Sequence, residues 1–121
     1  MGSLAYMGRS IRKRADELGI EVGSIFQDHI TRQRKTQAKI AEASGISTSQ
    51  ISRYVRGEGS PTLTEFRAIC DALQLDPVLV YAQAAFNVEW RERTDRGENP
   101  PAPTFPPLRP GVRFLAPKPQ A

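Results

Sequence analysis

The chain has 121 residues, 39% of them hydrophobic, and carries a net charge of +4. That length suits one compact domain with tails. A single cysteine, Cys70, excludes an intrachain disulfide and fits a reducing, cytoplasmic setting. No apolar run approaches the ~20 residues of a membrane span, and residues 1–6 are too short for the apolar core of a signal peptide.

The positive charge favours an anionic partner. It is unevenly placed. Residues 9–35 carry seven basic and four acidic side chains, residues 36–85 four and five, and residues 86–121 six and four. A phosphate-binding surface in the near-neutral middle would have to borrow charge from its flanks.

No stretch alternates in the manner of a strand, and helical spacing dominates, so the fold class is all-α. Residues 1–8 read as a disordered leader. A first helix is expected over about 9–18, capped by Ser10, with Ile11, Ala15 and Leu18 on one face and Gly19 as its stop. A second is expected over about 22–34, with Ile25, Phe26 and Ile30 turned inward. Thr36 is an N-cap for a helix over 37–44 that buries Ile40 and Ala41. Ser47 caps a helix running to about Arg56, which Gly57 and Gly59 end. Thr62 caps a helix to about Gln74 with an apolar stripe of Leu63, Phe66, Ile69, Cys70 and Leu73. Asp76-Pro77 is an acidic cap followed by proline at the first helical position. The helix it opens runs to about Arg93 and presents Val78, Leu79, Tyr81, Ala82, Ala85 and Phe86. Eight of the ten prolines fall between Pro100 and Pro119. The organisation is therefore a leader over 1–8, a domain over 9–94 with its core in 22–86, and a Pro-rich tail over 95–121, disordered or polyproline-like.

Residues 36–57 meet the demands of two short helices crossing steeply. Ala41 is small where the second helix must approach. Gly45, four residues later, suits the positive φ of the bend. Ile46 turns inward, Ser47 caps at once, and Ile51 and Tyr54 anchor the second helix at i and i+3. Its outward positions, Thr48, Ser49, Gln50, Ser52, Arg53 and Arg56, all donate hydrogen bonds and none is acidic, the composition that a nucleic-acid groove favours.

Thr36-Gln37, Ile40-Ala41, Gly45-Ile46-Ser47, Ile51-Ser52 and Gly57, followed by Pro61, Leu63, Leu73 and Asp76-Pro77, resemble the lambda-repressor/Cro-like (xenobiotic-response-element type) helix-turn-helix family over residues 36–80. The resemblance implies a five-helix DNA-binding domain, here with an extra N-terminal helix and the Pro-rich C-terminal tail. It implies a sequence-specific regulator of transcription, most simply a repressor of phage or mobile-element type, associated with the nucleoid. Carried over position by position, it implies that Gln37 donates to a phosphate and braces the recognition helix. Ser47 and Thr48 lie at the helix start. Thr48, Ser49 and Arg53 face base edges, Arg53 fitting guanine O6 and N7, with Gln50 beside them. Ser52 and Arg56 touch phosphate. The family often pairs an arginine with a glutamate at positions that correspond here to Ile30 and Val55, so an apolar contact replaces that ion pair.

The implied partner is double-stranded DNA, as a homodimer if the operator is an inverted repeat. A second reading is an antitoxin-like protein that binds its operator and covers a partner protein with its tail. A third is an interaction module without DNA binding. Arg12, Lys13, Arg14, Arg32, Arg34 and Lys35 are either a phosphate-contacting flank or a solvated face. His29 reads as a surface or hydrogen-bonded side chain rather than a metal ligand. Trp90 either packs the last helix onto the domain or anchors a dimer contact. No zinc spacing, phosphate loop or catalytic triad is present, so no enzyme, metal or cofactor is expected.

Overall fold

The computed structural model describes residues 3–99, with side chains at residue 13 and from residue 16 onward. Its order is α1 (Ser3–Arg32), α2 (Gln37–Ser44), α3 (Thr48–Val55), α4 (Leu63–Leu73) and α5 (Pro77–Asp95), with no strand among the described residues. The all-α architecture agrees with the periodicity. The proposed tail beyond Asn99 lies outside the described residues.

The two helices expected before Thr36 are one. Helix α1 begins at Ser3, inside the stretch read as a leader, and passes through Gly19 and Gly23. Neither glycine is a stop. A Cβ on Gly23 would stand 2.0 Å from the carbonyl oxygen of Tyr54, and one on Gly19 would stand 2.1 Å from Ser60 Oγ. Both glycines let α1 run close to the end of α3 and the loop behind it. At Gly23 the neighbour is backbone, so only a residue without Cβ fits there, whereas at Gly19 it is a side-chain hydroxyl.

The core lies between α1 and the four shorter helices. Phe26, Ile40, Ile51, Ile69, Leu73 and Val80 are fully buried. Each such side chain contributes about 1.5–3 kcal/mol relative to exposure. Phe26 and Phe66 stack with ring centroids 5.8 Å apart. Ile30 is in this cluster and Val55, partly buried, packs against it. Cys70 is wholly buried, and burial pushes its thiol up to about 12. It is core, not a reactive group.

Helix α5 departs from the expected face. Val80, Ala84 and Val88 are buried, whereas Val78 is 68% and Tyr81 54% exposed. Apolar residues occur almost all round residues 78–86, so the sequence leaves the rotation open. Polar contacts set it. Asn87 Nδ2 donates to Glu21 Oε1 at 3.2 Å, and Arg91 forms an ion pair with the same carboxylate. Glu21 is buried on α1, so these bonds fix both the rotation and the docking of α5. Trp90 is half-buried, its ring 5.8 Å from that of Phe86 one turn earlier. Leu63 also leaves the expected stripe and is 87% exposed.

The α1–α2 turn is tied to the end of α4. Gln33 Nε2 donates to the carbonyl of Leu73 at 2.8 Å, and Lys35 Nζ to that of Ala72 at 3.2 Å. These carbonyls belong to the last turn of α4, where helical partners run out. His29 is neither at the surface nor hydrogen-bonded through Nδ1: it is 4% exposed and that nitrogen has no partner. Burial holds its pKa below the ordinary value.

Candidate nucleic-acid interface

Each end of the α2–α3 unit is closed by its own sequence. Thr36 Oγ1 accepts from the Lys39 amide at 3.1 Å to start α2. Gly45 ends it in the left-handed region at φ 76°. Ser47 Oγ accepts from the Gln50 amide at 3.2 Å to start α3, whose bounds Thr48–Val55 sit inside the expected 47–56. Ile51 and Tyr54 are its buried anchors, as their spacing requires.

The opposite face of α3 is open. Ser47, Thr48, Ser49, Arg53 and Arg56 are exposed, and Gln50 and Ser52 half-exposed. The hydroxyls of Ser47 and Ser49 lie 3.3 Å apart at the helix start. The N-terminal amides of α3 point the same way, so this end attracts an anion through helix polarity as well as through its hydroxyls.

A continuous hydrogen-bond chain supports that face. Arg53 Nη1 donates to Gln50 Oε1 at 3.5 Å. Gln50 Nε2 donates to the Tyr54 hydroxyl at 2.9 Å. Tyr54 donates to Glu65 Oε1 at 2.6 Å. Glu65 also accepts from the Thr62 amide at 2.9 Å, completing the capping box of α4. The Tyr54 and Thr62 bonds hold the Glu65 carboxyl below the usual carboxylate range. Burial, then the bond to Glu65, pushes the Tyr54 phenol up. Arg53 Nη2 also reaches the Glu58 carbonyl at 3.4 Å, so its fork is held over the end of α3.

Arg56 has two partners. Its Nη1 donates to Ser52 Oγ at 2.6 Å, and its Nε pairs with the Glu58 carboxylate. Arg56 keeps that carboxyl below its usual range. The acid-free character read from residues 47–56 therefore ends at once: Glu58 covers one of the two arginines. Gln37 lies on the first turn of α2. It stands 3.5 Å from Gln27 on α1, through Nε2 and Oε1.

The basic flank divides. Arg32 pairs with Asp28 at 3.1 Å, Lys13 with Glu17 at 4.0 Å, and Lys35 caps α4. Arg34 is exposed at the α1–α2 turn, with a positive φ of 54°. Arg12 and Arg14 lie among the side chains not described. Among the described residues no group of three or more His, Cys, Asp or Glu side chains is placed to hold a metal, and no helix is long and apolar enough to cross a membrane.

The geometry of α2 and α3 agrees with comparison to known proteins. Residues 30–80 match the helix-turn-helix family model. This segment is therefore similar to helix-turn-helix domains. A 54-residue stretch is 37% identical to the transcriptional repressor RstR of the cryptic phage CTXphi in Vibrio cholerae serotype O1. That match covers 41% of this chain and 48% of RstR, so the chain spans about half the length of that relative. Among solved structures, the clp gene regulator ClgR of Corynebacterium glutamicum superposes with a TM-score of 0.59 at 22% identity, over 65% of this chain and 84% of that one. The helix-turn-helix segment of this chain thus sits in an architecture that ClgR shares.

Two residues of the interface escaped the sequence reading. Glu65 was visible as the fourth residue of Thr62-x-x-Glu65, a capping-box pattern, but nothing local says that it also takes the Tyr54 hydroxyl. Glu58 lies in the turn after α3, where no periodicity shows which way a side chain faces.

Proposed function

We propose that this protein is a sequence-specific duplex-DNA-binding regulator of transcription, most simply a repressor, that lays α3 in the major groove. The observation that carries this reading is the open face of α3, where Thr48, Ser49 and Arg53 stand exposed on a helix whose other face is locked in the core. A rigid helix bearing hydroxyls and one guanidinium fork is what direct readout of base edges uses.

In this reading Arg53 takes guanine O6 and N7, and Thr48 and Ser49 reach bases near the helix start. Ser47, Ser52, Arg56 and Gln37 contact phosphate and fix the register. Gln50, engaged at both ends of its amide, aims Arg53 rather than reading a base itself. Binding by one such module buries only ~600–1,000 Å², so a dimer on two half-sites about one helical turn apart is the expected assembly. The similarity to RstR over the helix-turn-helix supports repression as the mode of action.

Selection of bound duplexes from a random pool at near-physiological salt tests this. Affinity for DNA depends steeply on salt, which fixes that choice of condition. An enriched inverted repeat supports the reading and gives the half-site spacing. The absence of any enriched sequence overturns it.

A further inference from the structure

A groove opens on the side of the domain formed by α1 and the starts of α4 and α5. It encloses about 440 Å³ and is walled by Pro61, Leu63, Phe66, Pro77, Val78 and Tyr81, with Leu18 and Val22 of α1 as its floor. Three of its walls are the apolar side chains that depart from the expected core: Leu63, Val78 and Tyr81 are 87%, 68% and 54% exposed. Large apolar side chains gathered at one concave place mark a binding site rather than chance exposure.

We propose that this groove is the docking site for the chain's own Pro-rich segment, residues 102–108, seated through Phe105 and Leu108. Grooves lined by aromatic and proline rings accept polyproline helices. Such a helix has three residues per turn, so Ala102, Phe105 and Leu108 fall on a single edge, with Pro103, Pro106 and Pro107 between them. The spacing delivers two apolar side chains to one side.

The reach is sufficient. The groove takes in Tyr81 on α5, and α5 ends at Asp95. Fourteen residues of α-helix separate the two, about 21 Å at 1.5 Å per residue. The Gly97 turn already brings the Glu98 amide back to the Arg93 carbonyl, about 18 Å of helix from Tyr81, and a polyproline-like run from Glu98 to Phe105 spans about 22 Å at 3.1 Å per residue. The segment can therefore fold back along α5 and arrive at Tyr81 with Phe105, while Leu108 continues toward Pro77. Tethering raises the local concentration of the segment to about the millimolar range, so even a weak intrinsic fit fills the groove. A separate proline-rich protein would need a much higher affinity to compete.

A nitroxide on Thr104→Cys tests the proposal in the full chain. Cys70 is buried, with its thiol pushed up to about 12, so labelling is confined to the added cysteine. The expected result is paramagnetic broadening of the amide resonances of Leu63, Val78 and Tyr81, unchanged on dilution. That broadening should vanish when Phe105→Ala and Leu108→Ala are added to the labelled chain. Undisturbed resonances of Phe26 and Ile69 show that the fold is intact. Three results overturn the proposal: no broadening at the groove, broadening that fades on dilution because a second copy supplies the occupant, or broadening that survives loss of both apolar side chains. None of these readouts involves DNA, so failure here is separate from failure of the proposed function.

Discussion

The hydroxyl of Tyr54 donates to Glu65 at 2.6 Å, and the same carboxylate oxygen closes the capping box of α4 through the Thr62 amide. One acid thus couples the helix proposed to read DNA to the helix packed behind it. The coupling extends outward through Gln50 to Arg53.

Tyr54→Phe keeps the buried ring and deletes only the hydroxyl. Glu65 retains its capping bond, while Gln50 loses its acceptor. The expected cost is about 0.5–1.5 kcal/mol, the net worth of such a bond. It appears as a lower denaturant midpoint with an unchanged slope.

Stability should fall at both ends of the pH scale. The carboxyl of Glu65 titrates below its ordinary value of 4.5 in the fold. Its contribution is present above that value and is lost as pH drops through the lowered one. His29 is likewise lowered from 6.5, so the fold prefers it neutral and loses stability as acid charges it. Tyr54 is raised above 10.0, so its contribution is complete below that value and disappears as pH climbs through the raised one. Thermal melts across pH should show all three limbs. Tyr54→Phe should remove the alkaline limb assigned to that phenol, and His29→Gln the limb nearest neutrality.

The two glycines of α1 predict different outcomes for the same substitution. In Gly23→Ala the new Cβ meets backbone, the Tyr54 carbonyl oxygen at 2.0 Å, and α3 must shift. A loss of about 1–3 kcal/mol or more is expected. In Gly19→Ala the obstacle is the Ser60 hydroxyl, which can rotate away. A gain in helix propensity of up to ~1 kcal/mol offsets part of that clash. Melting temperatures of the two variants should separate clearly, with Gly23→Ala the lower.

Arg91→Ala leaves the buried Glu21 carboxylate with Asn87 as its remaining partner among the described residues. The Glu21 side chain is 6% exposed but that of Arg91 is 62% exposed, so water replaces part of the lost pairing. The expected loss is about 1–3 kcal/mol. Adding Glu21→Leu should return part of it, because the penalty comes from the unpaired charge rather than from the missing arginine. A double-mutant cycle in denaturant measures this directly.

The helix-turn-helix was legible because local rules decide it. Thr36, Gly45 and Ser47 each satisfy a backbone need within three or four residues, so α2 and α3 fall where their caps place them. The helices on either side were less legible. Gly19 looks like a stop locally, and only the approach of Ser60, remote in sequence, shows it to be a contact. The rotation of α5 depends on Glu21, 66 residues from Asn87, and no periodicity within 77–95 reports that pair. At the interface, residue types identified the open face of α3 but could not show how its side chains bond to one another. The engagement of Gln50 and the cover of Arg56 by Glu58 depend on geometry.

The central claim is that Arg53 on α3 reads a base. The measurement that tests it most directly is a pair of duplex selections from one random pool, with the unaltered chain and with Arg53→Ala. The account predicts an enriched site for the first. For the second it predicts the same site with preference lost at a single base pair per half-site and affinity lower by about 1–3 kcal/mol. An identical enriched site at undiminished affinity for Arg53→Ala would contradict it.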